Sequence, residues 1–267
     1  MPTLIAPSGI EWNYDLEGEG RVLLFIHGWG VDRRIWRQQT KFFSQNYKVL
    51  AADLPGHGKS TWRKIPLKEM AGDLKFILNT HLIHEFSIIG SSVGGLLALR
   101  LYESFPAGIK KLSFVGSIPK FARSEDYPFG IDVTQIRKLG GRLKTAYPSV
   151  VSIFFRSLFT REERETRRFK WLQKFRQHDD VPLRDALVEY LGILEAEDLR
   201  EVLRNINVPV QFINGTHDEI CTLKSVEHIK SLKPEARYDY FNKCGHFPFL
   251  SKPYEFNSLL EEFLGAP

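Results

Sequence analysis

The stretch Phe86–Gly95 (FSIIGSSVGG) constrains the fold more than any other part of this 267-residue chain. An apolar run meets Gly-Ser-Ser-Val-Gly and leucines at helical spacing follow, so the pattern predicts a strand, a sharp turn and a helix. Such a turn strains its central residue and leaves room only for small neighbours, which Gly90 and Gly94 provide. Ser92 is therefore predicted to be a nucleophile at a helix N-terminus, where negative charge is favoured. The five-residue pattern also occurs in ordinary loops, but the flanking strand and helix favour the nucleophile.

Further apolar runs alternate with helical patterns before and after this turn. Strands are predicted over Ile10–Asp15, Arg21–Ile26, Gln45–Asp53, Ile109–Val115, Val208–Asn214 and Ala236–Phe241. Helices are predicted over Leu67–Leu82, from the turn to Ser104, and over Pro253–Leu264. Such alternation is typical of parallel βαβ units, so the sequence predicts an α/β fold with a mostly parallel central sheet flanked by helices.

The alternation stops after Gly116. Helical patterns without a convincing strand follow, notably Ser149–Phe159 and Glu162–Arg176. We interpret this switch as a helical lid inserted into one α/β domain. The predicted organisation is a first part of the core over residues 1–117, the lid over 118–194 and a second part of the core over 195–267.

The net charge of +5 is concentrated in one part of the chain. Residues 119–178 contain 14 Lys and Arg against 6 Asp and Glu, a local charge of +8, so the remaining residues carry −3. This distribution suggests an acidic partner for the lid, although a solvated helical face with balancing glutamates would look similar. The charge is not accompanied by the aromatic and basic motif of a nucleic-acid-binding module, so we expect no nucleic acid partner.

The sequence also disfavours several classes of protein. No window approaches the roughly 20 apolar residues of a membrane span, and the first residues lack the basic and apolar segments of a signal peptide. Cys221 and Cys244 are far apart and form no metal or redox motif. We therefore expect a cytoplasmic protein with no membrane association, no metal and no cofactor.

A serine nucleophile needs a base to take its proton and an acid to orient that base. In this architecture the chain order is serine, acid, histidine. Asp218 follows the strand predicted over Val208–Asn214, which brings it to the carboxyl end of the sheet. Of the eight histidines only His228 and His246 follow Asp218, and His228 falls in a predicted surface helix, so His246 is the candidate base. Asp53 is the rival acid, but it precedes the serine and is better explained as bracing its own Pro-Gly loop.

The intermediate of acyl transfer carries an oxyanion, which needs two preorganised N–H donors. One donor is predicted to be the backbone of Val93, the residue after the nucleophile. The other is predicted to be the backbone of Trp29, in the loop His27–Gly30, whose glycines allow the backbone to approach a substrate. The alternative is that Trp29 only lines an apolar pocket.

Together these features resemble the α/β-hydrolase superfamily and, within it, the pimeloyl-[acyl-carrier protein] methyl ester esterases of biotin synthesis. The matching stretches span nearly the whole core: Leu24–Gly30 (LFIHGWG), Trp36, Asp53–Ser60 (DLPGHGKS), Gly90–Gly95 (GSSVGG), Asp198–Arg200 (DLR) and Gly245–Pro253 (GHFPFLSKP). The HGWG variant and the Asp-Leu-Arg tripeptide narrow the resemblance to these esterases.

The resemblance implies an α/β-hydrolase fold with the helical lid inserted after the sixth strand. By position it implies Ser92, Asp218 and His246 as catalytic residues and Trp29 and Val93 as substrate and oxyanion contacts. It also suggests that a lid helix touches the acyl chain through Phe154, Phe155, Arg156, Ser157 and Leu158. An acyl-carrier protein is acidic, so a basic lid would suit docking of a carrier-bound substrate; its arginines include Arg156, Arg161, Arg164, Arg167 and Arg168.

These expectations combine into a serine carboxylesterase that hydrolyses the methyl ester of a pimeloyl chain on acyl-carrier protein, through an acyl-enzyme and without a cofactor. A less selective carboxylesterase acting on small free esters would share the same triad. A receptor-like protein of this fold with slow turnover is an alternative from another class. Dehalogenase and epoxide hydrolase activities are disfavoured because in this fold they use a carboxylate nucleophile, whereas position 92 is a serine.

Overall fold

The computed structural model describes residues 2–176 and 181–265. Within them, one eight-stranded sheet forms the centre of the molecule. Its strands are β1 (Thr3–Ile5), β2 (Glu11–Glu17), β3 (Val22–Ile26), β4 (Lys48–Ala52), β5 (Phe86–Ser91), β6 (Ile109–Val115), β7 (Val210–Gly215) and β8 (Arg237–Phe241).

The strands lie in the order β1-β2-β4-β3-β5-β6-β7-β8. Pairing is antiparallel between β1 and β2 and between β2 and β4, and parallel from β4 through to β8. Every residue of β3, β5 and β7 is buried, as expected for parallel strands covered on both faces. The predicted α/β class with a mostly parallel sheet is confirmed.

Helices cover both faces of the sheet. They are α1 (Arg37–Phe43), α2 (Leu67–Thr80), α3 (Val93–Ser104), α4 (Val133–Ala146), α5 (Ser149–Ser157), α6 (Arg161–Glu165), α7 (Arg167–Arg176), α8 (Arg184–Ala196), α9 (Arg200–Arg204), α10 (Leu223–Leu232), α11 (Pro248–Ser251) and α12 (Pro253–Leu264), with a 3₁₀ turn at Arg33–Trp36. One core cluster contains the apolar faces of α2 and α3. A second core cluster, on the other face of the sheet, contains the apolar faces of α1 and α12. Across the part of the chain that is described, none of these helices has the length and apolar character needed to cross a membrane.

Most predicted elements appear with ends shifted by a few residues. The helix after the serine ends at Ser104 and the last helix spans Pro253–Leu264, both as predicted. The segment predicted as one helix over Glu162–Arg176 is two, α6 and α7, because the backbone at Thr166 is extended and its hydroxyl accepts the Phe169 N–H (3.1 Å). Strand β1 was not predicted, since three residues carry too little pattern.

Helices α4 to α8 lie between β6 and β7 in the chain, so helices occupy the stretch predicted to be a lid after the sixth strand. Residues 177–180 of that predicted stretch lie outside the described residues, as do residues 1, 266 and 267. The division of the chain at residues 117 and 194 stays a prediction.

Candidate active site

Ser92 occupies the sharp turn between β5 and α3. Its backbone has φ 53° and ψ −123°, a region that side-chain-bearing residues rarely adopt. The flanking glycines allow the tight packing that holds it there: a Cβ on Gly90 would lie 2.7 Å from Gly94 O, and one on Gly94 would lie 2.5 Å from Ile26 O. The Ser92 N–H donates to Val115 O (3.1 Å). The turn predicted from the sequence is therefore present and held from two neighbouring strands.

Asp218 and His246 meet beside this turn. His246 Nδ1 lies 2.8 Å from Asp218 Oδ2, and both side chains are almost completely buried. The other carboxylate oxygen, Oδ1, accepts the backbone N–H groups of Ile220 (2.8 Å) and Cys221 (3.0 Å). Asp218 is thus held by its own loop in the orientation that faces the imidazole.

Ser92 and His246 line the same cavity. Among the described residues the structure contains no hydrogen bond between the Ser92 hydroxyl and His246. Hydrogen bonds between a nucleophile and its base are often long in free enzymes and shorten only when substrate binds. The three side chains expected from the chain order are therefore gathered at one place, with the acid and base already paired.

The loop that carries Trp29 lies against the serine turn. A Cβ on Gly28 would stand 2.9 Å from Ser92 Cβ, so glycine is needed for this approach. Val93 is the first residue of α3, where backbone N–H groups have no partner within the helix. Val93, immediately after Ser92, and the loop that carries Trp29 are thus both placed at the serine turn, and the role of their N–H groups as oxyanion donors stays a prediction.

Two buried histidines support this loop. His27 Nε2 accepts the Leu54 N–H (2.9 Å), and His57 Nε2 accepts the Gly30 N–H (3.3 Å). Burial lowers the pKa of His27 and, with the neighbouring His27, lowers the pKa of His57 to about 3. Both rings are therefore neutral near pH 7, which leaves each a free lone pair to accept a backbone N–H.

Asp53 is committed to its own loop. It accepts the backbone N–H groups of Arg33 (2.9 Å) and Lys59 (3.1 Å) and pairs with the Arg33 guanidinium. Burial raises the pKa of the Asp53 carboxyl, an effect that the nearby His27 and Arg33 oppose. The structure thus agrees with the interpretation of Asp53 as a bracing residue.

The cavity over Ser92 has a volume of about 310 Å³ and mostly apolar walls. Trp29 forms part of the wall: its indole N–H donates to Leu187 O (2.9 Å) and its ring meets Phe154 edge-on. Apart from Ser92 and His246, the polar lining comes from α4, through Gln135, Lys138 and Arg142. An extended apolar chain with a polar or anionic end fits this distribution.

The five predicted contacts, four on α5 and Leu158 directly after it, fall into two groups by position. Phe154 and Leu158, four residues apart, lie on the cavity wall, as expected for one helix face. The structure does not bring the other three there. Phe155 is buried against Phe159 and Phe247, with ring centroids at 5.1 and 6.1 Å.

The remaining two side chains, Arg156 and Ser157, are exposed. The Arg156 guanidinium lies 6.0 Å from the centroid of the Phe169 ring, and the Ser157 hydroxyl donates to Phe154 O (2.7 Å). The expectation that Phe155, Arg156 and Ser157 touch the acyl chain stays a prediction, which their positions away from the cavity wall do not favour. A helix presents only part of its surface to one cavity.

Sequence reasoning missed the contribution of α4. Gln135, Lys138, Leu139 and Arg142 all line the cavity, and their spacing of three, four and seven residues is that of one helix face. This spacing was available in the sequence as a signal for a helix with one face toward a pocket.

Asp218, Cys221 and His246 also place possible metal-ligand atoms within 4.8 Å of one another. Burial, reinforced by the Asp218 charge, raises the pKa of the Cys221 thiol well above its ordinary value. The thiol donates to Gly116 O (3.1 Å). Because metals bind the thiolate, this arrangement favours a hydrogen-bonded group over a metal site.

A family model described as the alpha/beta hydrolase fold matches residues 21–253. The chain therefore belongs to the α/β-hydrolase fold family, and it is a hydrolase. Its curated relatives include a pimeloyl-[acyl-carrier protein] methyl ester esterase of Nitrosomonas europaea, 30% identical over 244 residues that cover 91% of this chain and 96% of the relative. A protein of the same name from Legionella pneumophila (strain Paris) is 28% identical over 255 residues, which cover 94% and 98% of the two chains.

Solved structures of similar fold include two enzymes. One is an esterase from Exiguobacterium antarcticum, with a TM-score of 0.89 and 22% identity, covering 98% of this chain and 99% of the other. Another is an enol-lactonase from Burkholderia xenovorans, with a TM-score of 0.86, 22% identity and the same coverage. At this identity the likeness confirms the α/β-hydrolase fold.

Proposed function

We propose that the protein is a serine carboxylesterase that hydrolyses the methyl ester of a pimeloyl chain bound to acyl-carrier protein. The observation that carries this proposal is the cavity in which Ser92 and the His246–Asp218 pair meet apolar walls. The names of the Nitrosomonas and Legionella relatives support the choice of substrate.

In the first half of the proposed reaction, Ser92 Oγ attacks the ester carbonyl carbon while His246 takes the hydroxyl proton. Asp218 holds Nδ1 of His246 (2.8 Å) so that Nε2 can accept that proton, and it stabilises the imidazolium that forms. The backbone N–H groups of Val93 and Trp29 stabilise the oxyanion. The C–O bond to the methoxy group then breaks, and His246 returns the proton so that methanol leaves.

In the second half, water attacks the acyl-enzyme carbonyl and His246 takes a proton from that water. A second oxyanion forms and collapses with cleavage of the bond to Ser92 Oγ. The proton returns from His246 to the serine, and the free carboxylate is released. The enzyme is regenerated, and the proposed reaction uses only its own side chains, its backbone N–H groups and water.

The walls of the cavity favour a chain of methylene groups. Burial of each methylene contributes about 0.8 kcal/mol, and Trp29, Phe154 and Leu158 offer apolar surface for it. Lys138 and Arg142 on α4 add positive charge to the lining, which suits an anionic carrier group. The acyl chain is proposed to run from Ser92 along the apolar wall toward α4.

Docking of an acidic carrier protein is a proposed role for the basic lid. Not every predicted arginine is available for it. Arg168 donates to Leu250 O and Gln38 Oε1, which ties α7 to the core. Arg161 Nε lies 3.6 Å from Glu165 Oε1, and both side chains are exposed. An exposed ion pair of this kind contributes little to stability. Arg161 can therefore leave Glu165 and pair with a carboxylate of the carrier protein.

The proposal is tested by measuring methanol release from methyl-pimeloyl carrier protein beside a short free methyl ester. We expect a higher kcat/KM for the carrier-bound ester, and we expect added salt to reduce that preference because surface charges are screened. Activity on the short ester alone would retain the triad and reject the carrier-bound substrate. Absence of hydrolysis on both would reject the esterase proposal.

A further inference from the structure

The turn between α5 and α6 is bonded directly to the loop that carries His246. The backbone N–H of His246 donates to Leu158 O (2.8 Å). Leu158 also lines the substrate cavity. One residue of the lid therefore touches both the cavity and the backbone of the proposed base.

Glu163 completes this connection. Its Oε2 accepts the Gly245 N–H (3.0 Å) and the Thr160 N–H (2.7 Å), and its Oε1 accepts the Cys244 thiol (3.0 Å). Burial first, and then the Glu163 charge, raise the pKa of the Cys244 thiol, so that it stays protonated and able to donate. A single half-buried carboxylate thus binds the two residues that precede His246.

Close packing leaves this loop little freedom. A Cβ on Gly245 would lie 2.4 Å from Leu158 O and 3.1 Å from Glu163 Oε2. From the opposite side, the His217 N–H donates to Cys244 O (2.9 Å), and His217 immediately precedes Asp218. Residues 244–246 are therefore fixed between the lid and the loop that carries the acid.

We propose that Glu163 is a positioning residue, which holds residues 244–246 so that the His246 imidazole stays aligned between Ser92 and Asp218. This inference rests on the proposed Ser92–His246–Asp218 mechanism. Glu163 reaches no substrate, since it does not line the cavity, and acts only through the backbone and thiol of the loop. The lid then contributes to the chemical step as well as to the shape of the pocket.

The same carboxylate also caps α6, and this second role has to be separated from the first. The Thr160 hydroxyl accepts the Glu163 N–H (3.1 Å), and Glu163 returns the bond to Thr160 N–H in a capping box. Thr160→Ala removes the hydroxyl half of the capping box and leaves the carboxylate on Gly245 and Cys244. Glu163→Ala removes both the cap and the loop contacts.

Four variants are compared on the carrier-bound ester and on a short free ester: Glu163→Ala, Glu163→Gln, Thr160→Ala and Glu165→Ala. Glu165 is an exposed carboxylate on the same helix and is the matched control. For Glu163→Ala we expect kcat to fall by roughly 10- to 100-fold with little change in KM, because small misplacements of a catalytic group are that costly. Glu163→Gln should retain most of the wild-type kcat, because the amide oxygen of glutamine can still accept the Gly245 N–H.

The downfield proton signal of the hydrogen bond between His246 Nδ1 and Asp218 gives a direct readout. We expect this signal to broaden or disappear in Glu163→Ala and to persist in Thr160→Ala, which should also retain its kcat. Equal loss of kcat in Glu163→Ala and Thr160→Ala would overturn the inference in favour of helix capping alone. A wild-type kcat in Glu163→Ala would also overturn it, while loss of activity in Ser92→Ala in the same assay would keep the proposed function intact.

Discussion

Gly28 packs on Ser92 so closely that a Cβ atom at position 28 would stand 2.9 Å from Ser92 Cβ and 3.2 Å from Ser91 O. The contact joins the loop after β3 to the turn after β5, two strands that are neighbours in the sheet. It holds the loop that carries Trp29, the proposed oxyanion donor, against the serine turn.

Gly28→Ala is expected to lower kcat because the loop must shift away from Ser92 and carry the Trp29 N–H with it. Removal or displacement of one oxyanion donor typically costs about 10²–10³ in kcat. Steady-state hydrolysis of a short ester measures the effect. Gly72→Ala on α2 is the control. Apart from its two chain neighbours and the backbone of its own helix, no atom lies within 4 Å of the new Cβ, so we expect full activity and a gain of about 0.5–1 kcal/mol in the free energy of unfolding. Full activity in Gly28→Ala would contradict the proposed donor.

Ser92→Ala is expected to abolish turnover while the fold is retained. Loss of a serine nucleophile in a comparable triad costs on the order of 10⁶ in kcat. The neighbouring Ser91→Ala is the matched control, because the Ser91 hydroxyl is buried and has no hydrogen-bond partner among the described residues. Its removal should leave both activity and stability close to wild type. Ester hydrolysis retained by Ser92→Ala, with circular dichroism unchanged, would refute Ser92 as nucleophile.

Asp218→Asn should leave the loop in place and reduce kcat by roughly 10⁴ at neutral pH, because an amide can stabilise the wrong tautomer of His246. Glu219→Gln, at the adjacent exposed position, should have no such effect. The measurement is kcat for the short ester in both variants. If Asp218→Asn and Glu219→Gln had the same kcat, the group that orients His246 would not be Asp218.

Charge reversal on α4 tests the carrier. Lys138→Glu combined with Arg142→Glu is expected to raise KM for the carrier-bound ester roughly tenfold at low ionic strength, since attraction of an oppositely charged partner is lost. KM for the short neutral ester should change little. Lys41→Glu combined with Lys68→Glu, at exposed cations on α1 and α2, controls for the same change of −4 in net charge. A similar rise in KM for both esters would point to damage of the cavity instead of lost docking.

The buried histidine His57 makes stability depend on pH. Its folded-state pKa is about 3, lowered from 6.5 chiefly by burial and further by the neighbouring His27. Below pH 6.5 the unfolded chain binds a proton that the folded chain does not, so the free energy of unfolding is highest above that pH. It should fall as the pH drops, by at most about 1.4 kcal/mol per pH unit for this histidine.

Urea unfolding at pH 7.5, 6.5 and 5.5 measures this dependence above the range where carboxylates titrate. His57→Gln should flatten it, whereas His84→Gln, at an exposed position, should not. An identical pH dependence in all three proteins would assign the effect to other groups.

Local patterns were sufficient to predict the elements that place the proposed catalytic residues. The Gly-Ser-Ser-Val-Gly turn has the strained backbone expected at Ser92. Chain order alone paired Asp218 with His246, and the structure joins them at 2.8 Å. These positions could be predicted because each of the three residues lies in a short recognisable stretch after a buried strand, while their catalytic roles stay predictions.

The contacts of the helices between β6 and β7 were predicted less well, since they depend on packing between segments distant in sequence. The side of α5 that faces the cavity is decided by where Phe155 meets Phe247, a contact across 92 positions that no local pattern encodes. The use of Arg168 as an anchor depends likewise on Leu250 and Gln38. Composition alone indicated a basic surface, and the structure shows that part of that charge stabilises the fold.

The position of helices α4 to α8 in the chain has a consequence for how this protein can be altered. Strands β6 and β7 are adjacent, paired from Leu112 opposite Val210 to Val115 opposite Ile213, so the chain leaves the sheet and returns at neighbouring points. A segment of this kind can be exchanged for one of another length without moving either strand. A transplanted segment would nevertheless have to offer an oxygen to the Gly245 N–H and another to the His246 N–H. The segment is therefore exchangeable only under one condition: its replacement must restore both hydrogen bonds to the loop that carries His246.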